Sequence, residues 1–380
     1  MKKALNLLTD KKRTYLSIGA FAAPIAVMLI TYYLMNIHPF GERTLLTVDL
    51  DDQYISFFSY MRQMLTEGIS PLYTFSKNLG GDMVGLGAYY LLSPLNLIFL
   101  FFKTENFPTA VLILTLLKIG LSGLTMSLLL NRSIRRYSSI LFSSAYALMA
   151  YNIVYQQNIM WLDGVILLPV IIIGIDNILK GRSPLCYIFS LGASILINYY
   201  IGFMLCIFSA LYFICGFIFF RKENTLSLKY NECLKPVCYF GISSILAGGL
   251  SAFIVFPAFF ALEGGKATFA VSALTFEANF HIFDLPAKFL IGSFNNNQMV
   301  SGLPNIYSGM FVLVFCILYF VSSKAQMREK IGFGILLLAI TASFHINSLN
   351  LIWHGFNPPV WFPYRYSFIF SFLLIVLAYK

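Results

Sequence analysis

The chain has 380 residues, of which 58% are hydrophobic and only 11% charged, where a soluble domain carries about 25% charge. That composition excludes an ordinary soluble globular protein. The net charge of +10 would suggest a nucleic-acid partner in a soluble chain, but here the basic residues cluster between apolar stretches, the topology signal of the positive-inside rule, so no nucleic-acid partner is expected.

Lys2, Lys3, Lys11, Lys12 and Arg13 precede a long apolar run. The run is too long for a signal peptide and no small-residue cleavage site closes it, so it reads as a retained first span. The fold class is all-α, a polytopic membrane bundle with about ten spans, over 14–34, 107–130, 138–154, 161–179, 184–199, 201–220, 236–258, 304–321, 331–347 and 364–379. The 184–220 stretch is split at Asn198-Tyr199-Tyr200-Ile201-Gly202, because Lys180/Arg182 and Arg221/Lys222 belong on one side and need an even number of crossings between them. With that split, Arg132/Arg135/Arg136, Lys180/Arg182, Arg221/Lys222/Lys229/Lys235, Lys324/Arg328/Lys330 and Lys380 all fall on the face of the N-terminus. The rule makes that face cytoplasmic.

The opposite face then carries two long segments, 35–106 and 259–303, and a shorter one, 348–363. Long segments on one face are where a site is built. In the first, DLDDQYISFFSYMRQMLTEG reads as an interfacial helix, capped by Asp49 or Asp51, with Tyr54, Phe57, Phe58, Met61 and Leu65 as its apolar stripe. Glycines at 80, 81, 85 and 87 imply tight backbone, and Ser93-Pro94 opens a second short apolar segment, 95–102, too short to span. The six cysteines fall in spans or beside the basic side with no CxxC pair, so neither disulfides nor structural zinc are expected.

Asp49, Asp51 and Asp52 form the sharpest acidic cluster of the outer face. Asp49 and Asp52 share one face of a helix, the geometry of a general base beside a charge-tuning or metal-binding partner. Spacing alone fits a capped helix start at a wet surface slightly better. Lys118 sits near the middle of a span, where a charge faces a cavity or a partner, snorkels to the interface, or marks a span shifted from these bounds. Asp163 follows Trp161 at the mouth of another, Glu263 and Lys266 flank two glycines, and His281 with Asp284 lies in an aromatic stretch where a structural histidine is the commoner outcome. In the last outer segment, prolines at 358, 359 and 363 fix the backbone ahead of Arg365. The positive-inside rule does not place an arginine there. Its guanidinium fork suits a phosphate, with His354 nearby, and an interfacial arginine paired with an acid or a headgroup fits as well. Walker A, GxGxxG, HExxH and GxSxG motifs are absent, and no internal repeat is evident.

Asp49-Leu50 with Gln53-Tyr54, Gly80-Gly81, Tyr89-Tyr90 before Ser93-Pro94, Trp161-Leu162-Asp163, Asn198-Tyr199-Tyr200-Ile201-Gly202, and Trp353-His354-Gly355-Phe356-Asn357 leading to Pro363-Tyr364-Arg365-Tyr366-Ser367-Phe368 run through the chain in order. In these the sequence resembles the N-terminal membrane part of the bacterial YfhO family. That resemblance implies a GT-C-like integral-membrane glycosyltransferase that adds sugar to an envelope polymer such as lipoteichoic acid in the bacterial cell membrane. Family members are commonly longer, so it also implies that residues 1–380 form one membrane domain of a truncated chain.

The class takes a polyprenyl-phosphate sugar as donor and places an essential acid in its first outer loop, a position that Asp49 matches and Asp52 matches less closely. The implied reaction has Asp49 deprotonating an acceptor hydroxyl on the envelope polymer, that oxygen attacking the anomeric carbon, and undecaprenyl phosphate leaving. Arg365 and His354 would hold the lipid phosphate by the chemistry of the guanidinium fork, a role the resemblance does not itself assign, and Gln53, Tyr54, Asp163, Tyr199, Trp361 and Tyr364 would line the substrate. The class admits Mg2+ or Mn2+ beside the carboxylates, though Asp49 with Asp52 is weak grounds for a metal. Two other readings remain, a lipid or polymer flippase and a non-catalytic envelope scaffold. Acids concentrated in one outer loop and the absence of a repeat argue against the flippase, and a scaffold would leave Asp49 dispensable.

Overall fold

The structure, a computed structural model, describes residues 2–77, 79–132, 136–220, 230–263 and 274–380. Arg135, Arg221, Lys222, Lys229, Lys266 and the side chain of Glu263 lie outside the described residues.

The architecture is helical throughout. In chain order the helices are α1 (Lys2–Leu34), α2 (Ile55–Glu67), α3 (Val84–Tyr90), α4 (Phe107–Leu130), α5 (Ser138–Ala147), α6 (Ala150–Val154), α7 (Leu162–Leu179), α8 (Leu185–Ile197), α9 (Tyr199–Cys215), α10 (Tyr230–Glu263), α11 (Gln298–Ser301), α12 (Met310–Val321), α13 (Met327–His345), α14 (Asn347–Trp353) and α15 (Ser367–Tyr379). The strands described are a two-residue antiparallel pair, β1 (Tyr73–Thr74) and β2 (Gly81–Asp82).

Five helical stretches are long and apolar enough to cross a membrane: Lys11–Leu34, Thr104–Leu130, Ile159–Leu179, Tyr199–Phe220 and Leu234–Ala261. A sixth is added if α3 and the 3-10 segment Pro94–Phe101, bent by 97° to each other, count as one broken span. Ser138–Val154, α8, α12 and α15 are apolar but shorter. This is a multi-pass all-α membrane protein whose length and composition support five to six spans without fixing the ten predicted.

The sequence makes the bundle by two devices. Helices apolar on all sides, such as α4, α7 and α9, are stable only when wrapped by lipid or by each other. Small residues then let backbones approach. A Cβ added at Gly174 in α7 would sit 2.5 Å from the backbone nitrogen of Tyr187 in α8. The α8–α9 break is built by Asn198, whose extended backbone ends one helix while its Oδ1 accepts from the Ile201 N–H at 2.9 Å to cap the next. Gly202 follows, and a Cβ there would meet the Ile195 Cα at 2.6 Å. The turn predicted at 198–202 is present, and α8 packs against α9 beyond it.

The predicted interfacial helix is also present, with one correction. A π-helical turn, Leu50–Tyr54, precedes α2, and neither Asp49 nor Asp51 caps it through its side chain. Tyr54, Phe58 and Met61 of the expected stripe are buried, Phe57 is half-buried, and Leu65 is exposed. Phe58 stacks on Phe99 with ring centroids 4.3 Å apart. So α2 lies on the Pro94–Phe101 segment, which in turn packs against α4.

The charge pattern maps onto the two ends of the bundle. Arg132, Lys180, Lys235, Lys324 and Lys380, drawn from separate basic clusters, line one cavity. Lys12, on α1, lies 5.3 Å from the Tyr137 ring centroid. The turn at 49–54, the α3 bend and the 354–365 loop gather elsewhere, around a group of tyrosines.

Candidate functional site

Tyr89, on α3, sits where α3, the mouth of α7, the start of α9 and the 354–365 loop meet. Its hydroxyl accepts from Trp161 Nε1 at 3.1 Å and from Arg365 Nη1 at 3.3 Å. Its ring packs against Tyr90 at 4.6 Å, Tyr199 at 5.9 Å and Tyr200 at 5.9 Å between centroids. Asn198 Nδ2 donates to the Tyr89 carbonyl at 2.8 Å. The residue that caps α9 therefore also fixes α3 in place.

Arg365 is held by backbone and by aromatic faces rather than by an acid. Its Nε donates to the Phe362 carbonyl at 3.2 Å and its Nη2 to the Trp361 carbonyl at 2.9 Å. Its guanidinium carbon lies 5.0 Å from the Trp161 ring centroid and 5.1 Å from that of Tyr200. The ion pairs among the described residues are Lys118–Asp163 and Lys380–Glu329, so Arg365 has no carboxylate partner there. A guanidinium carries five N–H donors, and these three bonds, with the Tyr200 hydroxyl as a further neighbour, leave the remainder of its fork for something else. Tyr89, whose oxygen already accepts twice, likewise keeps its own proton to donate.

The loop that presents Arg365 is strained. Gly355, Phe356, Phe362 and Tyr364 all have positive φ, at 65°, 62°, 54° and 56°. For bulky residues this left-handed conformation is costly and persists only where the surroundings over-determine it. Here Tyr151 Oη donates to the Arg365 carbonyl at 2.8 Å, and Tyr155 Oη to that of Pro363 at 3.3 Å. The prolines read from the sequence are thus joined by pins from α6 and the residue just after it.

His354 stands behind Tyr200. Its Nδ1 is 2.7 Å from the Tyr200 hydroxyl, and its buried Nε2 has no hydrogen-bond partner among the described residues. Burial first, and the Arg365 charge second, lower its pKa to about 3. It is a neutral imidazole at ordinary pH and adds no charge of its own to the site.

Asp49 is half-buried at the start of the π-helical turn. Its Oδ2 accepts from the Tyr54 hydroxyl at 3.2 Å, which also lies 3.0 Å from Asn158 Oδ1. Burial, Tyr90 and the Asp49 charge together push the Tyr54 hydroxyl well above its ordinary pKa, so it stays protonated and donates. The Tyr54 ring lies 5.1 Å from that of Tyr90, which abuts Tyr89. Through these rings the carboxylate and the guanidinium belong to one aromatic cluster. A carboxylate with one oxygen tied is held to accept a proton on the other. A guanidinium with spare donors beside a phenol suits an anion.

Of the residues read from the sequence, the structure thus brings together Asp49, Tyr54, Tyr199, Arg365, His354 and, through its carbonyl, Trp361. Trp361 is 41% exposed. Asp52 and Gln53 are exposed in the same turn. Asp163 and Tyr364 are placed apart. Asp163 is buried, with Oδ2 2.6 Å from Lys118 Nζ and Oδ1 accepting from Ser93 at 2.9 Å. This answers the mid-span Lys118, which also donates to the Ile159 carbonyl at 2.9 Å. Tyr364 packs edge-on against Phe280 and Phe344 and lines a separate cavity of about 380 Å3 with Asn279, Gln298 and Asn350. Among the described residues no three His, Cys, Asp or Glu side chains converge on a common point.

Tyr89, Trp161, Tyr200 and Asn158 were not picked out as site residues from sequence. The first three lie in quoted motifs, Tyr89-Tyr90, Trp161-Leu162-Asp163 and the 198–202 turn, and that was the one available signal.

The family described as bacterial membrane protein YfhO matches residues 20–380. No curated protein matches the chain, and no solved structure does.

Proposed function

The chain belongs to the YfhO family of bacterial membrane proteins, and from that premise we propose that it transfers a sugar from a polyprenyl-phosphate donor to a cell-envelope polymer such as lipoteichoic acid. The transfer takes place on the outer face of the membrane, with the N-terminus cytoplasmic. The observation that carries this reading is Arg365: a guanidinium caged by Trp161 and Tyr200, without an acidic partner among the described residues, in the same aromatic cluster as an acid held by Tyr54. A structural arginine in such a place normally pairs with a carboxylate. One left with free donors is ready for a ligand's anion.

In this reading the donor phosphate takes the spare N–H groups of Arg365 and the O–H of Tyr89. Asp49, its Oδ2 fixed by Tyr54, takes the proton of the acceptor hydroxyl on Oδ1. The acceptor oxygen forms a bond to the anomeric carbon as the bond from that carbon to the phosphate oxygen breaks, and polyprenyl phosphate leaves with the electron pair. Charge accumulates on the phosphate as the leaving bond lengthens, so Arg365 binds the transition state more strongly than the ground state. A phosphate is a good leaving group and needs no general acid. His354 serves as a positioning residue that holds Tyr200 against the guanidinium. Asp52 and Gln53 face solvent beside Asp49, and Tyr199 and Trp361 border the sugar. A divalent ion, where one takes part, would sit between Asp49 and Asp52.

The test is transfer of labelled sugar from synthetic polyprenyl-phosphate donors to envelope polymer, in membranes holding the wild-type chain or Asp49→Asn. Transfer by the wild type with loss in the variant supports the assignment. Transfer retained by Asp49→Asn removes the base, and no transfer by either chain from any donor favours the flippase or scaffold.

A further inference from the structure

At the end of the bundle away from Arg365, a cavity of about 1190 Å3 opens between the ends of α4, α7, α9, α10, α12 and α15. Ligand sites commonly measure roughly 300–1,000 Å3, so this one is large for a sugar or a free ion. Five cations, Arg132, Lys180, Lys235, Lys324 and Lys380, line it against two carboxylates, Asp176 and Glu329. Both carboxylates are engaged: Glu329 pairs with Lys380, and Asp176 Oδ1 accepts from the Tyr212 hydroxyl at 3.3 Å. Arg132 Nη2 donates to Asn177 Oδ1 at 2.6 Å. Lys180, Lys235 and Lys324 are exposed and form no ion pair among the described residues.

The positive-inside rule explains why cations gather at this end. It does not explain why they ring a cavity with apolar walls. Those walls include Phe219, Phe220 and Phe372, and they run out to Tyr239, Phe315 and Leu318, which are 45%, 46% and 53% exposed on α10 and α12. A soluble anion has no use for such a wall, whereas a lipid would lay its acyl chain along it and its phosphate among the lysines.

We propose that this cavity binds an anionic phospholipid, with Lys180, Lys235 and Lys324 around the phosphate and Phe315, Leu318 and Tyr239 against the chain. Basic pockets between membrane helices hold lipid headgroups in this way. The site is separate from the outer tyrosine cluster and stands whether or not the chain transfers sugar.

The experiment carries the purified full chain through gel filtration in detergent with phosphatidylglycerol or with phosphatidylcholine of the same acyl chains, and measures lipid retained per protein. Wild type is expected to keep phosphatidylglycerol in preference to phosphatidylcholine. Lys180→Gln/Lys235→Gln/Lys324→Gln should lose at least about tenfold in that retention, while Lys11→Gln/Arg13→Gln, which alters cations outside the cavity, keeps it. Equal retention of the two lipids by wild type, or undiminished retention by the triple variant, overturns the proposal. Displacement of the lipid by millimolar inorganic phosphate assigns the site to a free anion and overturns the lipid. If the triple variant does not fold, the wild-type comparison and the phosphate competition decide on their own.

Discussion

The guanidinium carbon of Arg365 lies 5.0 Å from the centroid of the Trp161 ring. The contact joins the 354–365 loop to the mouth of α7, and the tryptophan's own N–H points to Tyr89, whose oxygen also receives Arg365. One cation is thus oriented by two aromatic faces, two backbone carbonyls and a phenol. A lysine in its place would keep the charge, but it has neither a planar fork nor a face to stack.

Arg365→Lys is therefore expected to behave much like Arg365→Gln. Both should lower kcat/KM for sugar transfer by roughly 100-fold or more, the scale of removing one preorganised donor from a developing anion. Steady-state transfer with a synthetic donor checks this. A lysine variant within a few-fold of wild type would show that Arg365 supplies only a point charge.

The buried Lys118–Asp163 pair gives a stability prediction. Removing one partner of a buried pair costs about 3–5 kcal/mol, because the other charge stays behind unpaired, while replacing both with apolar residues is often neutral. Asp163→Asn and Lys118→Met should each lower the thermal unfolding midpoint in detergent. Lys118→Met/Asp163→Leu should recover most of that loss. If Asp163→Asn left the midpoint unchanged and abolished transfer, the carboxylate would face substrate after all.

How much of this was legible in the sequence follows from what each residue's role depends on. Spans and basic clusters depend on composition and order, so the helical architecture and the gathering of Arg132, Lys180, Lys235 and Lys324 at one end could be read. The Asn198 break was legible because Lys180/Arg182 and Arg221/Lys222 on one face require two crossings between them, and the 198–202 turn is where the run can be divided. Asp163 was harder, since an acid at a helix mouth looks the same whether it faces water or a lysine from another helix. The tyrosine cluster was not legible as a site. Tyr89, Trp161 and Tyr200 come from three separate segments, and aromatic residues at membrane boundaries ordinarily mean an interfacial belt. The charge state of His354 also could not be read, because it is set by burial.

That burial fixes the pH dependence expected of His354. Its folded pKa, about 3, lies below the ordinary 6.5. Between those values the unfolded chain takes up a proton that the folded chain refuses, so stability falls as pH drops below 6.5 and is insensitive to this group above it. His354→Gln keeps a polar side chain near Tyr200 but has nothing to protonate. The thermal midpoint of wild type should therefore fall more steeply than that of the variant between pH 6.5 and pH 4.5. The sugar-transfer profile should show no inflection near 6.5 that His354→Gln removes. Parallel midpoints across that range, or such an inflection, would mean that His354 titrates in the folded protein and contributes charge at the phosphate.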